Sequence, residues 1–512
     1  MSRAPTLAEF FQQAGINRYP AFAPYVQLAK PPFRSQVQGL SLCVHHQWFG
    51  LLDETGAGKS LPVVAAALHY IGLGNKVLVV TLASLCLQFA EAVTEDFIGI
   101  EKYVRVHVMD EGPDKRRKLL AKWEAEQSWP EMVVMSYEMF AICKMCLPMK
   151  AAGYDVLITD ESQKWKTPGK KFAQRIKEYV GDPVNMETAF FPMTGTPMHT
   201  AMTDCYSLVS LLSPGAYESH DAFLARHCIY KKIKLKEPRL LKGGRKQYYF
   251  QLLDGYCRHA ELSAHLYQRA RRVMKRDIPE LAALKDPIIT EVPVKLSTEH
   301  LTLYRRLVEE KFIELESGEI ITALQEQELR QRVLQMITCP EAYLDPGKTI
   351  DNQVLAAVSD LIEAEAPNSK IILFLHYRDT VERYAEALKR FNPALIYGGV
   401  TPEGREASRQ AFLFDPACRL LIANPKSAGA GYNFQSVSHT TIFGEPTASP
   451  GDFKQAMDRV VRPGQLWQCN TYILKALSTV APKAIKEMLR RDGDISRVTL
   501  DRKNLRHFYD FA

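Results

Sequence analysis

The chain has 512 residues, 46% hydrophobic and 24% charged, a balance that suits several packed cores and excludes a disordered or fibrous protein. A net charge of +7 is mild, so affinity for nucleic acid has to come from local basic patches rather than a global field. Ten cysteines without the regular spacing of a disulfide framework suit a reducing compartment.

The opening residues lack the apolar core of a signal peptide, and no apolar run approaches a membrane span. A cytoplasmic or nucleoid-associated protein is expected, with a nuclear setting left open. The first informative element is LLDETGAGKS at 51–60, followed by the helical pattern LPVVAAALHYIG. It approaches the phosphate-loop pattern G-x-x-x-x-G-K-[ST], in which backbone N–H groups ahead of a helix cradle phosphates. Asp53 stands where that pattern has its first glycine. On this reading Asp53, Glu54, Thr55, Gly56, Ala57 and Gly58 wrap phosphates, Lys59 neutralises them and Ser60 ligates Mg²⁺. The alternative is an ordinary glycine turn before a helix.

KVLVVTL, EMVVMSY, DVLITDE and AFFPMTGTP follow, short apolar runs ending in turn residues with helical patterns between them. That is the signature of a parallel sheet covered by helices on both faces. DVLITDE delivers Asp160 and Glu161 to a strand's C-terminal end, where ligands of such sheets sit. There Asp160 can hold Mg²⁺ while Glu161 orients or deprotonates water; an acidic pair in that place can equally cap a helix. Cys143 and Cys146 have C-x-x-C spacing but no second ligand pair nearby, so structural zinc is not expected.

YKKIKLKEPRLLKGGRKQYYF, 230–250, is a basic segment turning at Gly243-Gly244. Lys231, Lys232, Lys234, Lys236, Arg245 and Lys246 offer sequence-blind phosphate contacts, and Tyr248 and Tyr249 could prop against a base. The alternative is a solvated hairpin whose aromatics pack inward. Arg271 and Arg272 belong to a second basic cluster, at helical spacing, and are further nucleic-acid candidates. A helix-rich stretch covers 301–336, after which KIILFLHY, PALIYGG, RLLIANPKSAGAG, TTIFGE and NTYILKAL repeat the strand theme from about 370 to 475. The expected fold is α/β, two parallel-sheet lobes with a helical insertion between them.

DETGAGKS, DESQ and MTGTP, in that order, resemble motifs I, II and III of superfamily-two helicases and translocases, where the loop commonly lacks its first glycine. KSAGAGYNFQ (426–435) resembles motif V, and QAMDRVVRPGQ (455–465) resembles motif VI in the form characteristic of Swi/Snf-like translocases. FRSQVQGL places Gln36 where that family reads adenine, SLCLQFAEAV resembles motif Ia, and VVMSYEMF resembles the family's S/T-Y-E strand. The middle region, with FLARHC, RARRVMKRDIPEL and EVPVKLS, is most similar to the compact annealing-helicase branch, and the size suits a stand-alone bacterial or phage member. The resemblance covers about 30–480.

It implies a RecA-like ATP-binding lobe over 1–215, a helical and basic insertion over 216–345 and a second RecA-like lobe over 346–512. It also implies ATP and Mg²⁺, with Gly431 joining the nucleotide contacts. Lys59, Asp160, Glu161, Arg459 and Arg462 would be catalytic, the two arginines as fingers that stabilise charge on the transferring phosphoryl group. The partner would be duplex or branched DNA, bound without sequence preference by a monomer. Gln163 departs from the more usual His; a neutral amide can hydrogen-bond motif III but cannot change charge. The implied activity is ATP-driven DNA translocation in replication, recombination or repair. A strand-separating helicase, or a nucleotide-switched recruitment subunit with slow turnover, are the alternatives.

Overall fold

The apolar runs of the first half form strands because both of their faces find cover. In a computed structural model of the chain, β2 (Val77–Thr81), β4 (Met132–Ser136), β5 (Val156–Thr159) and β6 (Ala189–Pro192) are buried almost throughout. The structure describes residues 3–181, 188–240, 246–310, 312–314, 320–322, 326–345, 347–365, 369–428, 432–445, 447 and 449–499. Side chains at 235–240, 246–247, 250, 310–330 and 427–428 are not described.

Ahead of these strands lie α1 (Arg34–His46), β1 (Gly50–Leu51) and α2 (Ser60–Gly72). With β3 (Val106–Met109) at one edge, the five strands form an all-parallel sheet in the order β3-β4-β2-β5-β6. Alternation sorts their side chains: Leu78, Val80, Val133, Met135 and Leu157 enter one core, Val77, Val79, Val134, Val156 and Ile158 the other. Each fully buried side chain of this size contributes roughly 1.5–3 kcal/mol, so the sheet is a rigid platform for whatever its C-terminal edge carries.

Beyond β6 the sheet continues through single bridges, Trp48 to Phe190 and Leu51 to Met193, both parallel. Residues 48–51 therefore lie alongside β6, which brings the loop after Leu52 next to the turn after Pro192. Two antiparallel strands, β7 (Cys228–Leu240) and β8 (Lys246–Tyr256), form the basic hairpin, and β9 (Ala270–Arg271) pairs in parallel with β1.

The second sheet is built in the same way. In chain order its region holds β10 (Ile288–Val294), α3 (Thr298–Glu310), α4 (Glu326–Thr338), β11 (Lys370–Phe374), β12 (Ala394–Ile396), β13 (Leu420–Ala423), β14 (Ser438–Phe443), α5 (Pro450–Met457) and β15 (Asn470–Ala476). The six strands are all parallel, in the order β10-β15-β14-β11-β13-β12. Among the described residues, those up to 278 together with 492–499 form one compact unit and those of 279–491 a second. Of the segment expected as an insertion, 216–278 thus groups with the first sheet and 279–345 with the second.

Candidate active site

The loop after β1 has the backbone that a phosphate cradle needs. Gly56 and Gly58 lie at φ 85° and 81°, a left-handed conformation that side chains other than glycine's strain to adopt. The Ala57 N–H donates to the Glu54 carbonyl at 3.0 Å, and Ser60 opens α2, so the remaining N–H groups stand ahead of a helix N-terminus. Thr55 closes the site from the side. A Cβ added to Gly195, in the turn after β6, would collide with the Thr55 hydroxyl and stand 2.9 Å from its backbone nitrogen. Glycine is thus the residue that lets the two loops touch.

The strand delivering Asp160 and Glu161 brings both carboxylates within electrostatic reach of Lys59, whose ammonium donates to the Glu54 carbonyl at 3.5 Å. Burial pushes the Lys59 ammonium below its ordinary pKa, opposed by the charges of Glu161, Asp160 and Asp53. Burial, with Glu161 beside it, lifts the Asp160 carboxyl to about 6, against the opposing pull of Lys59 and hydrogen bonds from the Glu161 backbone and Thr81. The turn is fixed by its neighbours: the Thr81 hydroxyl donates to Asp160 Oδ2 at 3.2 Å and the Tyr137 hydroxyl to the Asp160 carbonyl at 2.7 Å. Ser162 N–H donates to the Met193 carbonyl at 2.9 Å. Glu161 itself sits at φ 49°, ψ 49°, left-handed for a residue with a Cβ. Such strain costs about 1–3 kcal/mol and persists where surrounding contacts impose it, commonly at functional sites.

From Glu161 a chain of hydrogen bonds runs to the turn after β6. Gln163 Nε2 donates to Glu161 Oε2 at 2.6 Å, the Thr194 hydroxyl donates to Gln163 Oε1 at 2.5 Å, and the Thr196 N–H donates to Thr194 Oγ1 at 3.0 Å. The amide at 163 therefore bonds the turn as expected, with its donor toward the carboxylate and its acceptor toward threonine. A protonated histidine would present two donors there; glutamine fixes one polarity at every pH.

Gln36 reaches the loop rather than open space. Its carbonyl accepts from Phe33 N–H at 2.7 Å and its amide donates to the Gly58 carbonyl at 3.0 Å. Asp53, expected among the phosphate contacts, is 1% exposed and turned away from the cradle. Its Oδ2 pairs with Arg271 Nη2 at 2.7 Å, and its Oδ1 accepts from Val273 N–H at 2.8 Å. This also corrects the expectation that Arg271 and Arg272 form a nucleic-acid track at helical spacing. Arg271 ends a strand, both side chains are at most 6% exposed, and Arg272 Nη1 donates to the Leu52 carbonyl at 2.6 Å. Buried guanidinium groups bonded to the loop offer no surface to phosphates.

In the second unit α5 leads into the arginine-bearing turn, with Ser449 capping its N-terminus. Arg459 is 2% exposed and donates to the carbonyls of Gln455 and Tyr432, both at 3.0 Å. That placement braces the chain around Tyr432 in place of presenting a free finger. Arg462 is only half-buried, and the Gln465 amide ties the following turn to the Ser438 and Val460 carbonyls. Gly431 lies outside the described residues.

On the hairpin, Lys231, Lys232 and Lys234 are exposed, as are Tyr248 and Tyr249, and the Lys232 ammonium lies 5.6 Å from the Tyr249 ring centre. The two tyrosines do not pack inward. Arg245 and the side chains of Lys236 and Lys246 lie outside the described residues. Thr194 and Gly195 lie in MTGTP and Tyr137 in VVMSYEMF, stretches that the motifs marked without giving these residues roles; the signal for Thr81 is its position at the C-terminal end of an apolar strand.

Residues 36–344 match the SNF2-related domain, and 353–464 match the helicase conserved C-terminal domain. The chain belongs to the SNF2-related family. Among its relatives are the DNA repair and recombination protein RAD54B of Gallus gallus, 22% identical, and the DNA annealing helicase and endonuclease ZRANB3 of Homo sapiens, 23% identical. Each alignment covers 88% of this chain but only 51% and 38% of the respective relative, so this SNF2-related chain spans about half of their length or less. The Sulfolobus solfataricus SWI2/SNF2 ATPase core in complex with dsDNA is 19% identical over 94% of this chain and 97% of that one, with a TM-score of 0.38.

Proposed function

We propose that this SNF2-related chain hydrolyses ATP and couples the hydrolysis to movement on duplex or branched DNA, as a remodeller in replication, recombination or repair. The observation that carries the reading is the meeting of a left-handed glycine loop, Lys59 and the Asp160–Glu161 pair at one sheet edge. Lys59 would neutralise phosphate charge, and Glu161, aimed by Gln163, would orient or deprotonate the attacking water. Mg²⁺ fits the oxygen donors Ser60 and Asp160 and would supply charge neutralisation at the phosphates. Gln36 would serve adenine recognition through the loop segment it holds, and Arg462 the stabilisation of charge on the transferring phosphoryl group. The names of the relatives, a repair and recombination protein and an annealing helicase, support DNA as the partner.

The exposed lysines and tyrosines of the hairpin are proposed to meet DNA, within a working division of 1–215, 216–345 and 346–512 into two lobes and an insertion. Among the described residues no helix is long and apolar enough to cross a membrane. ATP turnover measured without DNA and with single-stranded, duplex and forked DNA tests the reading. Strong stimulation by duplex or forked DNA is expected. Weak turnover that no DNA stimulates would favour a nucleotide-switched recruitment subunit instead.

A further inference from the structure

Arg272 has none of the roles assigned above, yet its guanidinium sits where two catalytic segments meet. Its Nη1 donates to the carbonyl of Leu52, one residue before Asp53 and the loop, at 2.6 Å. The same nitrogen donates to the carbonyl of Gly195 at 3.2 Å. Gly195 is the centre of the Thr194–Gly195–Thr196 turn, and Thr194 is the residue that holds Gln163. The guanidinium is therefore a staple between the phosphate loop and the turn that aims Glu161.

The segment carrying Arg272 is built to hold it still. Leu52 N–H donates to the Arg271 carbonyl and Glu54 N–H to the Val273 carbonyl, each at 2.9 Å, while Lys275 N–H donates to Glu54 Oε2 at 2.8 Å. Next door, Arg271 is locked by Asp53 and by the Ser35 carbonyl at 2.6 Å. Room for that neighbour depends on Gly39, where a Cβ would stand 2.7 Å from Arg271 Nη2. Arg272 is 6% exposed, and its Nε has no hydrogen-bond partner among the described residues. Burying a cation is costly, and here it is offset by bonds to two carbonyls on separate segments, both of which would be stranded without the guanidinium.

We propose that Arg272 is a positioning residue for nucleotide hydrolysis, which keeps the Thr194–Gly195–Thr196 turn in register with the phosphate loop and thereby, through Thr194 and Gln163, keeps Glu161 aimed. The proposal rests on the functional reading above. It assigns Arg272 no contact with nucleotide or DNA; its action is on geometry, where a misplacement of about 1 Å can cost a hundredfold in rate.

The test uses the full chain with Arg272→Lys and Arg272→Met, the first retaining charge and the second packing volume. Glu161→Gln and the exposed neighbour Arg276→Ala serve as controls. In nucleotide-free protein, amide exchange across 193–199 should speed up in both Arg272 variants and stay unchanged in Arg276→Ala. At saturating ATP and DNA, kcat should fall at least about tenfold, by the same misplacement reasoning, whereas affinities for nucleotide and for DNA should change far less. Unaltered exchange with near-normal kcat would overturn the proposal, as would nucleotide affinity falling in step with kcat. A loss of DNA affinity with kcat intact would return Arg272 to the DNA track. If Glu161→Gln turned over like the wild type, the functional reading itself would fall; an inactive Glu161→Gln beside a normal Arg272→Lys would sink this inference alone.

Discussion

The buried pair between Asp53 and Arg271 gives a stability prediction whose size follows from the structure. Asp53 is 1% and Arg271 5% exposed, their charged atoms lie 2.7 Å apart, and the second Asp53 oxygen accepts from Val273 N–H. Asp53→Ala leaves a guanidinium buried without its counter-charge and a backbone donor unpaired, a change that typically costs about 3–5 kcal/mol. Arg271→Met leaves the mirror-image defect. Removing both charges should be much milder than the two single costs added together, because no uncompensated charge is left; the stranded Val273 N–H alone costs about 1–3 kcal/mol. Urea denaturation can follow the first unit through Trp48, Trp123, Trp129 and Trp165. Strict additivity of the two substitutions, or a cost for Asp53→Ala below about 0.5 kcal/mol, the range of ordinary surface changes, would refute the argument.

Gly195→Ala should weaken nucleotide binding and lower turnover at least about tenfold, because its Cβ would collide with Thr55 and part the loop from the turn; normal kinetics would show that the loops need not touch. Replacing Lys231, Lys232 and Lys234 with Ala should flatten the salt dependence of DNA binding by roughly 0.9 in log–log slope for each phosphate no longer neutralised, and an unchanged slope in a folded variant would remove the hairpin from the track. Burial raises the Glu445 carboxyl to about 7, against hydrogen bonds from Thr338 and the His376 backbone. Since the folded state then holds this proton more tightly than the unfolded chain, the Glu445 contribution to stability should fall as pH rises from about 4.5 through 7. The loss would amount to roughly 3 kcal/mol. The neighbouring His376, which burial lowers to about 4, contributes in the opposite direction. Glu445→Gln should remove the Glu445 component, read as the difference between wild type and variant in denaturation at pH 5 and pH 8.5.

The central strands of both sheets were legible because apolar runs between turn residues have few other ways to fold. Edge strands were not. Ile288–Val294 is exposed over most of its length and pairs with Asn470–Ala476, far along the chain, so local pattern carries little sign of it. The loop with Lys59 and the strand end with Asp160 and Glu161 could be picked out from spacing, although each by itself also read as a glycine turn or a helix cap. The basic run at 269–276 misled for a physical reason: spacing shows that arginines are close in sequence, not whether a carboxylate such as Asp53 waits to bury one of them. The partners that matter there lie far away along the chain, Asp53 being 218 residues from Arg271. The relay through Gln163 was half visible, because the amide and the MTGTP stretch it bonds could be named but not that Thr194 is the residue that donates to it.

The claim most in need of a direct test is that Glu161, held at a strained backbone angle and aimed by Gln163, performs the chemistry at the loop that binds ATP. Glu161→Gln and the wild type should be compared for nucleotide binding and for single-turnover ATP hydrolysis on saturating duplex DNA. The variant should bind nucleotide nearly as well as the wild type and turn over at least roughly a hundredfold more slowly, the scale for losing a positioned acid–base group. Hydrolysis by Glu161→Gln within a few-fold of the wild type would contradict the account.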